Sequence, residues 1–420
     1  MNLWIRKAPA FFTSIVLLFI FVGAYLFHLY PSKDLEGGIF KIEEVKRNVT
    51  SIQTTITYIG KLNHIPCRIT FRPNQNRPIA NKDYLIEKGA FHKNTFKPLS
   101  EWKPIENSWS LAEWRFQTKE KVKRFVFSRF KNPKVASLFA GLATGNMENP
   151  LLSYHFGAIG LAHLLAISGF HFALLTFFLA FFLKRFLPEK LFAISLIALL
   201  GLYFFYMGGA PSISRAWIGV LLYLVGILFG YRTNPLNALG VALLFALISD
   251  PFVITNIGFQ LSFGATLGII LFYSLFEEKL TSFLPKRPYK ILLEMKAKDQ
   301  LGYLLCAYIR KGLALQGSVL VFTFPLILYH FETFPLISLF YNLFVPFFFA
   351  LLLALFLLQL DFLASPLASF LITMVEGAPR PLLFKVNASQ SLLLIGGIFL
   401  LFIYRRVLRS KKQSVKHCKS

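Results

Sequence analysis

Long apolar runs divide this sequence into an amino-terminal run, a polar segment and a series of further runs. The first run, Ala10 to Tyr30, is about long enough to cross a bilayer and follows Arg6 and Lys7. Because positive flanks stay in the cytoplasm, we expect residues 1–30 to form a retained anchor with a cytoplasmic amino terminus. A cleaved signal peptide is the alternative, although the run exceeds the usual length of its hydrophobic region.

Nine further apolar runs predict a polytopic helical membrane protein of about ten spans, with its membrane domain at residues 136–405. They lie at 158–183, 191–207, 213–230, 236–249, 252–276, 313–331, 334–360, 362–375 and 391–404. In this topology every basic loop and the basic tail, residues 406–420, lie in the cytoplasm, as both termini do. Two runs, 236–249 and 362–375, are short enough to be re-entrant instead.

The polar segment between the first two runs has two patterns. Short β-like stretches at 39–49, 51–61, 65–72 and 84–92 predict a small antiparallel barrel within residues 31–109. Residues 110–135 interleave apolar residues such as Leu111 and Phe125 with lysines and arginines at roughly helical spacing. They predict a basic amphipathic helix that leads into the membrane.

The composition supports a membrane protein and shows a large positive net charge. Hydrophobic residues make up 55% of the 420 residues and charged residues only 15%, which excludes a soluble enzyme of this length. With 45 Lys and Arg against 20 Asp and Glu the net charge is +25, so anionic lipid and nucleic acid are the expected partners. Residues 31–134 hold 21 Lys and Arg against 10 Asp and Glu, a net +11.

Polar residues within the apolar runs mark the first candidate site. His163 and His171 are eight residues apart and are expected near one helical face, with a break at Ser168 and Gly169. Ionisable groups in a membrane are costly and usually face a polar pathway. The alternative is that both histidines only bond neighbouring helices.

A second cluster surrounds Gly208 and Gly209, where Pro211 and Ser212 follow at the start of the next run. Glycines and proline predict a helix break, and Arg215 falls one turn into the next helix. A guanidinium with free helix-start amides would hold an anion. Alternatively, Arg215 reaches the lipid headgroups.

Two weaker clusters follow. Gln260 and Ser262 could hydrogen-bond across helices, and Gly264 and Gly268 would allow close packing. Asn342, with Pro346 in the same run and His330 and Glu332 before it, is the fourth cluster.

Several signatures are absent from the sequence. It contains no HExxH, GxxxxGK[ST] or paired CxxC, and Cys67, Cys306 and Cys418 lie far apart. We therefore expect no metal and no cofactor.

Five motifs in order carry a resemblance to a known family. They are His163 to His171, Ala210-Pro211-Ser212-x-x-Arg215-Ala216, Asn234 to Ala238, Asp250-Pro251 and Gly258 to Phe263. This series resembles the ComEC family of bacterial competence proteins over roughly residues 135–404, and more loosely over the polar segment.

The resemblance implies an inner-membrane channel that admits one strand of transforming DNA into the cytoplasm. The candidate residues of this DNA pathway are those of the polar clusters above: His163, Ser168, Gly169, His171, Pro211, Ser212, Arg215, Gln260, Ser262 and Asn342. The resemblance also implies that the polar segment resembles an OB-fold, which binds single strands through basic and aromatic residues. The residues that would fit are Arg68, Arg72, Lys82, Lys88, Lys93, Phe71, Tyr84 and Phe91. Expected partners are single-stranded DNA, membrane lipid, a DNA receptor, a cytoplasmic motor or single-strand binder, and a separate nuclease.

One departure from the family concerns catalysis. Many members carry a carboxy-terminal metallo-β-lactamase-like domain, whereas this sequence has no HxHxDH and ends sixteen residues after Tyr404. We therefore expect this chain not to be an enzyme.

Two alternative functions are also compatible with the sequence. An intramembrane hydrolase would use Ser168 as nucleophile with His163 or His171 as base, although Ala166 departs from the usual intramembrane serine protease pattern. A small-molecule transporter would need a compact site at the membrane midplane.

Overall fold

The computed structural model describes residues 8–28, 37–49, 54–63, 65–71, 83–92, 95–99, 102–105, 110–165, 169–379, 381–385 and positions 390 and 397. Helices predominate, and one curled sheet lies near the amino terminus. The chain forms two compact units, residues 1–254 with 345–379 and residues 255–344 with 380–420. The predicted anchor forms helix α1, Pro9–His28.

Seven strands form a curled β domain in the first unit. They are β1 (Gly38–Val49), β2 (Thr54–Leu62), β3 (Ile65–Phe71), β4 (Asp83–Ile86), β5 (Gly89–His92), β6 (Thr95–Pro98) and β7 (Trp102–Pro104). Their order across the sheet is β5-β6-β3-β2-β1-β4-β7. The first three strands form an antiparallel meander, β1 also pairs with β4, and β3 pairs with β6 in parallel.

The core of the β domain follows the alternation of the strands. Side chains at alternate positions point to the same face of a strand, and those of Phe40, Tyr58 and Ile69 are fully buried. Trp102 of β7 packs edge-on against Tyr58 and Tyr84 at ring distances of 5.6 and 5.4 Å. The core is therefore aromatic, which gives a small domain a large apolar area per side chain.

Helix α2, Leu111–Arg129, is the predicted amphipathic helix. Ser110 caps it by accepting a hydrogen bond from the Glu113 amide. Ala112 and Phe116 on its buried face belong to the core of the β domain. The helix is thus part of the β domain as well as the link to the membrane helices.

Seven further helices of the first unit follow α2 directly. They are α3 (Pro133–Thr144), α4 (Pro150–Ala158), α5 (Ala162–Leu165), α6 (Gly169–Phe186), α7 (Glu189–Met207), α8 (Pro211–Phe229) and α9 (Pro235–Ser249). A 3₁₀ turn, Pro251–Thr255, follows α9. Helix α9 packs closely on α1, since a Cβ at Gly240 would overlap the backbone of Phe11.

The predicted span 158–183 begins later than predicted, because α4 ends at Ala158 and residues 159–161 are not helical. Residues 162–165 and 169–186 are helical, and residues 166–168 between them lie outside the described residues. Gly160 between α4 and α5 has φ +76°, which a residue with a side chain adopts only with strain.

The second unit contains a pair of long helices. Its elements are α10 (Ile257–Phe283), α11 (Tyr289–Glu294), α12 (Ala297–Phe331), β8 (Thr333–Pro335), the first part of α13 (Ser338–Leu357) and β9 (Leu383–Lys385). Helices α10 and α12 approach closely, because a Cβ at Gly268 would overlap the backbone of Ser318. This confirms the predicted role of Gly268 in close packing.

Helix α14, Asp361–Glu376, is held to the first unit at both of its ends. Arg129 donates to both carboxylate oxygens of Asp361 at 2.5 and 2.7 Å, and its guanidinium lies 5.4 Å from the Phe356 ring centre. Lys134 donates to both oxygens of Glu376 at 2.7 and 2.9 Å. Two ion pairs therefore fix α14 to the junction of α2 and α3.

Six helices of the described residues are long and apolar enough to cross a membrane, namely α6, α7, α8, α10, α12 and α13. Helix α9, one of the two runs predicted as uncertain spans, has 15 residues, and α14, the other, has 16. The structure therefore supports a multi-span helical membrane protein.

Candidate functional site

The break between α7 and α8 lies where the sequence predicts it. Helix α7 ends at Met207, α8 begins at Pro211, and Gly208 between them has φ +99°. We call residues 208–210 the Gly-Gly break. Proline at the first position of α8 is favourable, since its missing N–H would have no helical acceptor there.

Arg215 lies in the second turn of α8, and its guanidinium is placed against the start of α6. A Cβ added at Gly169 would lie 2.5 Å from Arg215 Nη2, so only glycine leaves this space. Gly169 is the first described residue of α6, since residues 166–168 before it lie outside the described residues. The guanidinium beside it favours an anion. Two polar clusters that are far apart in sequence thus meet here.

The two histidines of the first cluster differ in environment. His163 is exposed on the short α5, whereas His171 lies in the first turn of α6 and is 4% exposed. The His171 ring packs edge-on against Phe349 of α13, with ring centres 6.4 Å apart. Pro211 and Ser212 at the start of α8 are both partly exposed.

Two cations from α2 contact the end of α7. Arg115 Nε donates to the Phe205 carbonyl at 2.5 Å, and Lys119 Nζ donates to the Met207 carbonyl at 3.0 Å. The sequence alone did not predict this role for either residue. The sequence did contain a signal for the burial of Lys119, because it lies at helical spacing from Ala112 and Phe116 on the buried face of α2.

The second unit joins the third and fourth clusters. Gln260 of α10 and His330 of α12 form a hydrogen bond of 2.6 Å between Oε1 and Nε2, which confirms the predicted cross-helix role of Gln260. Ser262 and Asn342 are partly buried on α10 and α13. Both Gln260 and Ser262 therefore belong to a different compact unit from Arg215.

The candidate binding residues of the β domain are only partly described. Arg68 and Lys88 are exposed, whereas Tyr84 is 3% exposed and belongs to the core rather than to a binding face. Arg72, Lys82, Lys93 and Ser168 lie outside the described residues, and so do the side chains of Phe71 and Phe91. Within the described part of the chain, no three His, Cys, Asp or Glu residues are grouped so that they could hold a metal.

These observations define a class: a multi-span helical membrane protein with a basic β domain and a broken helix pair that carries an arginine. The family model described as Competence protein matches residues 116–405, which is more than half of the chain. The chain therefore belongs to the Competence protein family.

The chain is also similar to ComE operon protein 3 of Bacillus subtilis (strain 168). The two share 33% identity over 192 residues, which is 45% of this chain and 21% of that protein. The similarity thus spans about a fifth of that relative's length. No solved structure matches the chain.

Proposed function

We propose that this chain forms the membrane channel through which one strand of transforming DNA enters the cytoplasm in natural competence. The observation that carries the proposal is the placement of Arg215 against Gly169 in a member of the Competence protein family. Ionisable residues within membrane spans usually line a pathway for an ion or substrate. The positive charge of Arg215 would attract the phosphates of a nucleic acid strand on such a pathway.

The β domain is the proposed receiving site for that strand. Its connections support an OB-fold-like barrel if β4 and β5, which only Glu87 and Lys88 separate, count as one bent strand. That strand would pair with β1 at one end and with β6 at the other, and β6 runs parallel to β3. This pairing supports the proposal of a five-stranded barrel of the OB type. The exposed Arg68 and Lys88 would contact the phosphates.

The proposed topology has about ten spans in the bacterial inner membrane, with both termini in the cytoplasm. The six long helices would be six of these spans, and α1, α9 and α14 would be three more. The predicted span 391–404 lies outside the described residues apart from position 397. Reporter fusions after Asn107 and after Ser420 should then report opposite sides of the membrane. Fusions that report the same side would contradict this topology.

In this role the chain would carry out no catalytic step. It would act with a DNA receptor, a cytoplasmic motor or single-strand binder, and a separate nuclease that degrades the other strand. The chain would bind the strand by charge and stacking and would pass it on, which requires no cofactor.

An uptake assay on chromosomal variants of the full chain tests the proposal. Arg215→Gln should leave labelled DNA bound at the cell surface and sensitive to added nuclease. Transformation should fall about tenfold or more, the effect of raising a barrier by about 1.4 kcal/mol. Arg232→Gln is the matched control, because it removes the same charge at an exposed position just after α8.

Equal transformation by the two arginine variants, at equal protein level in the membrane, would contradict the proposed role of Arg215. Normal transformation in a strain without the chain would contradict the proposed function as a whole.

A further inference from the structure

The end of α7 leaves carbonyl groups that the helix itself cannot bond, because the last four carbonyls of a helix lack partners within it. The Gly208 amide donates a hydrogen bond to the Phe204 carbonyl. Arg115 and Lys119 of α2 donate hydrogen bonds to the carbonyls of Phe205 and Met207. Positive charges are also favourable at this end of a helix. Helix α2 therefore holds the last turn of α7 at the edge of the Gly-Gly break.

The opposite contacts of α2 are with the β domain. Ala112 and Phe116 are part of its core, and Glu120 forms an ion pair of 3.1 Å with Arg47 of β1. A displacement of β1 would therefore move α2, because buried side chains in close packing transmit displacement. One helix thus contacts both the proposed receiving domain and the end of α7.

The Gly-Gly break connects this contact to Arg215. Only residues 208–210 separate Met207 from the start of α8, and Arg215 lies in the second turn of that helix. Because α8 is a continuous helix from Pro211, its orientation at the break sets where the guanidinium lies relative to Gly169.

We propose that Arg115 and Lys119 are positioning residues that hold the Gly-Gly break, and that α2 thereby couples the β domain to the position of Arg215. The role of this coupling in DNA transport rests on the proposed function. The coupling itself can be measured without DNA.

The environment of Lys119 makes the coupling depend on pH. The side chain is 9% exposed, and burial lowers the pKa of its ammonium to about 8. Glu44 of β1 opposes this shift, whereas Lys46 of β1 and Arg115 reinforce it. As the pH rises above about 8, Lys119 loses its charge and its hydrogen bond to Met207 loses charge assistance. The hold on the break should weaken over the same range.

Thiol labelling at the break tests the proposal in the full chain. In a variant whose three cysteines are replaced by alanine, Gly209→Cys supplies one thiol at an exposed position whose Cβ would meet no atom within 4 Å. The readout is its rate of reaction with a membrane-impermeant maleimide. Lys119→Met should raise this rate about threefold or more, and Lys119→Arg should restore the slow rate.

Lys121→Met is the matched control, because Lys121 is exposed on the same helix and about 200° around it from Lys119. Arg47→Gln breaks the ion pair between β1 and Glu120 of α2 and should also raise the rate, whereas Lys103→Gln, in the Lys103–Glu87 ion pair, should not. Between pH 7 and 9 the rate with Lys119 should rise relative to the rate with Lys119→Arg. The reporter thiol ionises equally in both variants, so the ratio of the two rates cancels the effect of that ionisation.

Equal rates for Lys119→Met and Lys121→Met, at equal protein level, would overturn the positioning role. An unchanged rate in Arg47→Gln would overturn the coupling to the β domain. Changed labelling together with normal transformation by Arg215→Gln would leave the coupling standing and reject the proposed function, so the two failures are distinguishable.

Discussion

The guanidinium of Arg215 occupies the space beside Gly169 that any other side chain would fill, with Nη2 2.5 Å from the position of a Cβ. Because the displaced group is the far end of a flexible side chain, Gly169→Ala should move the guanidinium rather than unfold the protein. We therefore predict normal protein level in the membrane but reduced transformation in Gly169→Ala.

The interaction of the two positions can be measured by a double-mutant cycle. In an Arg215→Gln background, Gly169→Ala should cause no further loss of transformation. Additive losses would show that Gly169 acts independently of Arg215. Gly219→Ala is a suitable control, since that glycine of α8 has open space around it.

Binding of single-stranded DNA to the purified full chain should depend steeply on salt. Released counterions give log K a slope of about −0.7 per phosphate contact against log salt for single strands. Arg68→Gln should reduce this slope by about 0.7 for every sequence tested, because its contact would carry no base readout. Lys286→Gln, in the second unit, is the matched control and should leave the slope unchanged. Slopes that are equal for the two variants would exclude Arg68 from the binding face.

Much of the β domain was predictable, because alternation over seven or more residues is a strong signal. The predicted stretches 39–49 and 65–72 match β1 and β3 closely. Strands β6 and β7 were not predicted, since they have only four and three residues and each ends in a proline. Runs that short show no period, and only pairing with distant strands makes them extended.

The candidate site was predictable as a set of residues but not as an arrangement. Gly208, Gly209 and Pro211 predicted the break correctly, because these residues disfavour a helix interior for local reasons. The contact of Arg215 with the start of α6, and those of Arg115 and Lys119 with α7, depend on tertiary packing. Local sequence carries no signal for a partner that lies 88 residues away, as Met207 does from Lys119.

The ion pair between Arg129 and Asp361 should contribute measurably to stability. Both side chains are partly buried, at 15% and 33% exposed, and the hydrogen bonds are bidentate. Asp361→Asn should lower the free energy of unfolding by about 1 to 2 kcal/mol, since hydrogen bonds to charged groups contribute about 1.5 to 3 and exposure reduces this.

The matched control is Glu87→Gln, which breaks the exposed pair with Lys103, at 52% and 63% exposed. Its unfolding temperature in detergent should not change measurably. If Asp361→Asn also left that temperature unchanged, the pair would not be a structural clamp for α14.

The central claim is that DNA passes Arg215, and crosslinking to a stalled strand tests it most directly. A photo-crosslinking amino acid replaces Ser212 in one strain and Phe177, 72% exposed on α6, in another. Cells then take up a labelled strand whose trailing end carries a bulky block. We predict that nuclease-protected DNA crosslinks at position 212 and not at position 177. Protected DNA that crosslinks at neither position, or equally at both, would contradict a pathway along Arg215.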